Sequence, residues 1–297
     1  MNGQTRQLRD WQPEHRFLIG IDSDGCVFDT MEIKHRECFI PNTIRHWGLQ
    51  PVARYARETA EFVNLYSRWR GINRWPALVM VLDLLRERPE VQRRNAHIPT
   101  VDMLRIFIQQ SRHPLSNAGL RAFAREYPSN GELETALAWT TSVDDTVAAM
   151  VKGVPPFIAA RDCLAALHSC ADLIVASATP TPALEREWQE HNLAQFVRFI
   201  CGQEIGTKGQ ILQLAAAGKY PADHILMIGD APGDRQAAEA VGALFYPITP
   251  GEEERSWERL TGEALPRFFN GTYAGDYAAS LIAEFEHRLP DTPPWNR

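Results

Sequence analysis

The 297-residue chain is poor in cysteine, with only Cys26, Cys38, Cys163, Cys170 and Cys201, scattered and without a C-x-x-C pair. That scarcity excludes a disulfide framework and a cysteine-based zinc site, and points to reduced thiols. A long hydrophobic run is missing too. The most apolar helix candidate, Trp75 to Leu85, is interrupted by Asp83. It falls well short of the roughly 20 residues that a membrane-spanning helix needs. The stretch from Met1 to His15 is polar and has no apolar region of the signal-peptide kind, so a cytoplasmic location is expected. Nor is there an excess of positive charge. A net charge of −6 and a pI near 5.9 argue against a nucleic-acid binder. Repeats and low-complexity tracts are also absent. What remains, at 44% hydrophobic and 23% charged residues, is the balance of a globular protein with a sizeable core.

Two patterns divide the chain. Arg16 to Ile21 is a short apolar run that reads as a buried strand. From Glu32 to Lys152 the periodicity becomes helical, with helices expected at Ile33–Trp47, Arg57–Arg70, Trp75–Glu87, Thr100–Gln110, Ala118–Tyr127 and Glu132–Val151. Gly71, Pro89, Pro99, Pro114 and Pro128 punctuate them, and Ser129 with Glu132 reads as a capping box for the last. The basic run Arg86 to Arg94 is expected on a solvated loop. After Gly153-Val154-Pro155-Pro156, strands and helices alternate. Strands are expected at Asp172–Ala176, Val197–Cys201, His224–Ile228 and Ala243–Tyr246, and helices at Phe157–Ser169, Thr181–Asn192, Gly209–Ala217, Asp234–Val241 and Asp276–Arg288. Alternation with short apolar strands predicts an α/β fold, a doubly wound parallel Rossmann-like sheet covered on both faces. The expected domains are therefore 1–31 with 153–297 as the α/β core, and 32–152 as an inserted all-helical domain.

Polar residues collect at the expected strand ends, the edge of an open α/β sheet where ligands bind. The first strand ends in Asp22-Ser23-Asp24-Gly25 and the second in Ser177. Lys208 opens the helix after the third, and the fourth ends in Asp230 with Asp234 close behind. Asp22 and Asp24 lie two apart and point the same way from a strand. Unit charges about 4 Å apart near a surface repel by roughly 4 kcal/mol, so something must offset them.

These residues resemble the motifs of the haloacid dehalogenase superfamily, mostly phosphatases. DSDGCVFDT, from Asp22 to Thr30, matches that family's first motif D-x-D-G-x-[VIL]-x-D-[ST] at every specified position. Ser177 matches the second, Lys208 the third, and Gly229, Asp230 and Asp234 the G-D-x-x-x-D form of the fourth. The resemblance covers the whole core, and the helical insertion sits where the family places its C1 cap. It implies that Asp22 is a nucleophile forming an aspartyl-phosphate and that Asp24 is the general acid and base. It further implies a Mg²⁺ held by Asp22, the Asp24 carbonyl and Asp230, with Asp234 behind them. Gly25, Ser177, Ala178 and Lys208 would contact the phosphate of a small phosphorylated metabolite. Asp29 and Thr30 would fix the turn that follows.

In the insertion, Arg70-Gly71-Ile72-Asn73-Arg74 resembles the G-x-[ST]-R loop of phosphoglucomutase-like members, with Asn73 in place of the hydroxyl residue. By that resemblance Arg74 and Asn73 bind a distal anionic group, a task suited to the planar guanidinium fork. His35 sits where related sequences often place a histidine facing the cleft. The leading expectation is a phosphatase. A phosphomutase or phosphotransferase would share every core residue, and a non-catalytic phosphate-binding protein is the alternative of a different class. True dehalogenases and phosphonoacetaldehyde hydrolases lack the second aspartate of the first motif, and Asp24 is present. A phospho-receiver domain needs an acceptor aspartate at the third strand's end, where Cys201-Gly202 stand instead.

Overall fold

A computed structural model of the chain describes residues 3–296. The chain divides into two compact units. One comprises the chain up to Met31 together with Gly153–Arg288, and the other comprises Glu32–Lys152 with the chain from Leu289 onward.

The first unit is built on five parallel strands: β1 (Leu18–Ile21), β2 (Asp172–Ala176), β3 (Phe199–Cys201), β4 (Ile225–Gly229) and β5 (Leu244–Pro247). Their order across the sheet is β3-β2-β1-β4-β5, so the chain winds outward in one direction from β1 and then in the other. β1, β2 and β4 are buried along their whole lengths, which is why they read as apolar runs rather than alternating ones. Ile19, Ile21, Leu173, Val175, Leu226 and Ile228 form the core on one face with Trp188 and Trp257. The expected α/β class and parallel sheet are therefore present. β2 and the helix Asp276–Arg288 match the expected bounds, and the other strands shift by one or two residues.

The register lines up the ends that matter. Ile21 lies beside Val175 of β2 and Ile228 of β4, so the chain leaves all three strands at one edge within two residues of that row. The reversal of winding falls between β1 and β4, the place where such sheets open a crevice.

Two parts of the first unit differ from the sequence reading. Gly3–Asp10 is a helix rather than a plain polar leader, with Leu8 fully buried on its apolar side. Glu253–Arg259, a π-helical turn at Leu260–Ala264 and Leu265–Phe269 add helical structure that no expected element covered. Its buried side is Trp257, Leu260, Ala264 and Phe268, a helical spacing interrupted by Pro266.

The second unit has helices and no strand among its described residues, with Ala53–Leu65, Arg74–Glu87, Asp102–Gln110, Asn117–Glu126 and Gly131–Met150 as its larger helices. Trp75 lies at its centre, edge-on to Trp139 at 5.5 Å and to Phe107 at 6.1 Å. The cap of Gly131–Met150 is Asn130, whose side chain accepts from the Leu133 amide at 3.1 Å. The expected Ser129 cap is displaced because Ser129 adopts a left-handed φ of 62°. The basic run is not a solvated loop. Pro89–Arg93 is a short helix started by its proline, and Arg88 is only 3% exposed. Arg88 pairs with Glu58 at 2.8 Å, and the Arg88 guanidinium lies over the Tyr55 ring at 4.9 Å and the Trp295 ring at 4.2 Å. Trp295 also packs edge-on against Phe62 at 5.5 Å. The tail from Leu289, which the sequence reading gave to the α/β core, belongs with the helical unit because this aromatic side chain finds its apolar surface there.

Candidate active site

The loop after β1 is held by its own backbone. The Asp22 amide still pairs with β4, donating to the Ile228 carbonyl at 2.9 Å. The Ser23 carbonyl then accepts from Val27 at 2.9 Å and Phe28 at 3.1 Å, and the Gly25 amide donates to the Phe28 carbonyl at 2.8 Å. That tight return needs φ of +74° at residue 25, where a side chain would be strained. From below, the Trp188 indole donates to the Ser23 hydroxyl at 3.0 Å, and the Trp257 indole to the Cys26 carbonyl at 2.8 Å.

On this platform Asp22 is nearly buried, at 5% exposed. Lys208 reaches it at 2.9 Å and reaches Asp234 at 2.5 Å, so one ammonium bridges two carboxylates. Lys208 stands at the start of helix Lys208–Ala216, which is anchored by a reciprocal cap between Thr207 and Gln210. Asp234 lies in the first turn of helix Pro232–Ala240, where its other oxygen accepts from the Ala231 amide at 3.0 Å. Gly229 makes this approach possible, since a Cβ there would lie 2.3 Å from the Asp234 carboxyl carbon. Asp230 is buried at the end of β4, and ligand atoms of Asp22, Asp230 and Asp234 lie within 4.8 Å of one another.

The electrostatics of this cluster are unbalanced. Burial pushes the Asp22 carboxyl well above the usual carboxylate range; the neighbouring charges of Asp234 and Asp230 add to the rise, and Lys208 opposes it. Asp234 is raised for the same reasons. Burial alone would lower Lys208, but Asp22 and Asp234 hold it above its ordinary value. Three buried carboxylates face one ammonium, which leaves surplus negative charge. Hard oxygen donors with surplus charge fit a divalent cation such as Mg²⁺ or Ca²⁺.

Ser177 ends β2 and is buried, with its amide donating to the Cys201 carbonyl of β3 at 3.0 Å. Its hydroxyl accepts from the Thr179 amide at 3.2 Å, which leaves the hydroxyl proton available to donate. Ala178 follows it and is exposed. The Asp24 carboxylate is half-buried and accepts on both oxygens, from Thr30 at 2.5 Å and from Thr179 at 2.7 Å. The Thr30 hydroxyl also lies 3.5 Å from the Phe28 carbonyl. Thr179 was missed, because no local pattern connects it to a residue 155 positions earlier. Asp29 is exposed and adds nothing to this cluster.

The sequence candidates in the helical unit are engaged there. Asn73 caps helix Arg74–Glu87 by accepting from the Trp75 amide at 3.0 Å, and donates to the Leu115 carbonyl at 2.8 Å. Arg74 pairs with Asp144 at 2.7 Å, donates to the Thr140 hydroxyl at 2.8 Å and lies over the Phe39 ring at 5.1 Å. His35 stacks on Phe39 at 5.0 Å.

No protein-family model matches this chain, and no curated protein matches its sequence. Solved structures do resemble it. A candidate phosphoglycolate phosphatase from Lactobacillus delbrueckii subsp. bulgaricus superposes at 14% identity over 84% of this chain and 92% of that one, with a TM-score of 0.50. A haloacid dehalogenase-like hydrolase family protein from Streptococcus pneumoniae is 16% identical over 91% of this chain and 98% of that one, at a TM-score of 0.45. CbbY from Rhodobacter sphaeroides, solved in complex with phosphate, is 16% identical over 80% and 88%, at 0.41. At these identities the likeness is one of fold: the chain shares the parallel α/β architecture of the Lactobacillus delbrueckii structure. No helix among the described residues is long and apolar enough to cross a membrane.

Proposed function

We propose that this chain is a Mg²⁺-dependent phosphatase that hydrolyses a small phosphorylated metabolite through an aspartyl-phosphate on Asp22. The observation that carries the reading is Lys208 bridging Asp22 and Asp234 beside Asp230, at the sheet edge that also bears Ser177.

In the first half-reaction an Asp22 oxygen attacks phosphorus and the alkoxide departs, taking a proton from Asp24. In the second, water attacks the same phosphorus, Asp24 accepts its proton, and the Asp22 carboxylate is regenerated as phosphate leaves. Lys208 and the Ser177 hydroxyl stabilise the negative charge on the phosphoryl oxygens, and the loop amides around Gly25 and Ala178 line the approach. Asp234 keeps Lys208 in place. Asp22, Asp230 and the Asp24 carbonyl would hold the cation, which when bound neutralises charge between the nucleophile and the phosphoryl group.

The test is release of inorganic phosphate from 4-nitrophenyl phosphate with Mg²⁺, after EDTA, and with Asp22→Asn. Activity with Mg²⁺ that is lost on chelation and in the variant is the expected result. Full turnover in EDTA or in Asp22→Asn would overturn the mechanism. Transfer of the phosphoryl group to an added sugar phosphate, without phosphate release, would instead favour a mutase or phosphotransferase.

A further inference from the structure

We propose that Thr179 is a positioning residue for the proton transfers of Asp24, and that it ties this carboxylate to the phosphate-binding hydroxyl of Ser177. The inference rests on the phosphatase reading above.

Thr179 makes two bonds of different kinds. Its amide donates to the Ser177 hydroxyl at 3.2 Å, and its own hydroxyl donates to Asp24 Oδ2 at 2.7 Å. Thr30 holds the opposite oxygen, Asp24 Oδ1, at 2.5 Å. A carboxylate gripped on both oxygens has both side-chain torsions set. A group that must deliver a proton to one atom and later remove one from water gains from such a fixed aim, since small misplacements are costly.

The bland reading is that the Thr179 hydroxyl merely helps to hold its loop. The loop is already held without it. The Thr179 carbonyl accepts from the Gln203 amide at 3.2 Å, and the Thr181 hydroxyl accepts from the Gly202 amide at 3.0 Å. Glu204 in turn accepts from both the Thr181 amide and the Thr181 hydroxyl, each at 2.9 Å. The fit against β3 is close enough that a Cβ at Gly202 would lie 2.4 Å from the Thr179 carbonyl oxygen. The backbone is thus anchored from the β3 side, and the hydroxyl is left for Asp24. A rigid loop carrying one hydroxyl to the acid and one amide to the phosphate ligand is what alignment of the two requires.

The discriminating measurement is kcat/KM on two esters, 4-nitrophenyl phosphate with a good leaving group and glycerol 2-phosphate with a poor one. Thr179→Val should lower kcat/KM on the alkyl ester at least about tenfold more than on the aryl ester, because a general acid matters most for a basic alkoxide. Thr179→Ser, which restores the hydroxyl, should recover most of that loss. In an Asp24→Ala background Thr179→Val should cost nothing further, since a residue acting only through Asp24 has nothing left to position. Should valine at 179 unfold the protein, Thr179→Ala is read in the same assays. Equal losses on both esters, or a further loss in the Asp24→Ala background, would overturn the inference while leaving the phosphatase reading standing. A wild-type protein inert on every ester tested would overturn that reading, and this inference with it.

Discussion

Lys208 and Asp22 lie 2.9 Å apart in a site where both are largely withdrawn from solvent, yet the pair is not balanced. The same ammonium serves Asp234, so the charge of Asp22 is only partly offset. Removing Lys208 would leave two buried carboxylates without their cation, a change that costs about 3–5 kcal/mol where it has been measured for buried pairs. The carboxyls would take up protons in response. The geometry therefore links protonation and stability at one point.

The first prediction follows from the raised carboxyls of Asp22 and Asp234. A carboxyl whose folded value exceeds its ordinary 3.8 binds more protons folded than unfolded, so its contribution to stability falls as pH rises through that window. In EDTA the two residues should therefore stabilise the fold most on the acid side. A divalent cation held by Asp22 and Asp230 needs Asp22 deprotonated, so the stabilisation it adds should grow with pH. Thermal melts at pH 5 and pH 8, with and without Mg²⁺, should show a larger Mg²⁺ increment at pH 8. An increment of equal size at both would place the cation elsewhere.

Thiol titration gives a second prediction. Cys26, Cys38, Cys163 and Cys201 are buried, and Cys170 is exposed. Burial pushes Cys163 up to about 11 and Cys201 up to about 12, and raises Cys26 and Cys38 as well. Because the thiolate is the reactive form, the native protein at pH 8 should react with a disulfide reagent at Cys170 alone. All five thiols should react once the protein is unfolded in denaturant. Rapid native labelling of Cys26 or Cys201 would show that the site loop or the end of β3 opens readily.

A third concerns the edge of the sheet away from the site. Asp172, fully buried at the start of β2, accepts from the amides of Glu14 at 3.1 Å and His15 at 2.9 Å and from the Tyr220 hydroxyl at 2.7 Å. Tyr220→Phe removes one charge-assisted bond from a buried carboxylate and should destabilise the protein by about 1.5–3 kcal/mol in denaturant unfolding. Phosphate-ester turnover should be unchanged, because Ser177 leaves β2 at its other end. A loss of kcat without a loss of stability would contradict this division.

A fourth tests the tail. Trp295 covers Arg88 and meets Phe62, so Trp295→Ala removes a cation–π contact and an aromatic pair. Together these are worth about 1–3 kcal/mol. Trp295→Phe should retain most of that. A melt indistinguishable from wild type in Trp295→Ala would show that the tail adds no stability to the helical unit.

The sequence alone determined the strands of the sheet and which polar residues stand at their ends. The runs LIGI and DLIVA are apolar because both faces of a parallel sheet are covered, and burial of that kind is a local property legible in any window. The sheet edge could be read for the same reason, since the strand ends bearing Asp22, Ser177 and Asp230 follow from where each apolar run stops. Only the tertiary structure decided how polar side chains pair across the chain. Thr179 on Asp24, Trp188 beneath Ser23 and Arg74 on Asp144 each join residues from 70 to 165 positions apart. A threonine, a tryptophan indole or an arginine looks the same in sequence whether its hydrogen-bonding group meets water or a carboxylate. Arg88 shows the other side of this: a charge run normally lies in solvent, but Arg88 is buried, its Nη2 donating to Glu58 and its guanidinium lying over two aromatic rings. Burial pattern is written locally along the chain, whereas the partner of a polar group is set by which distant segment packs beside it.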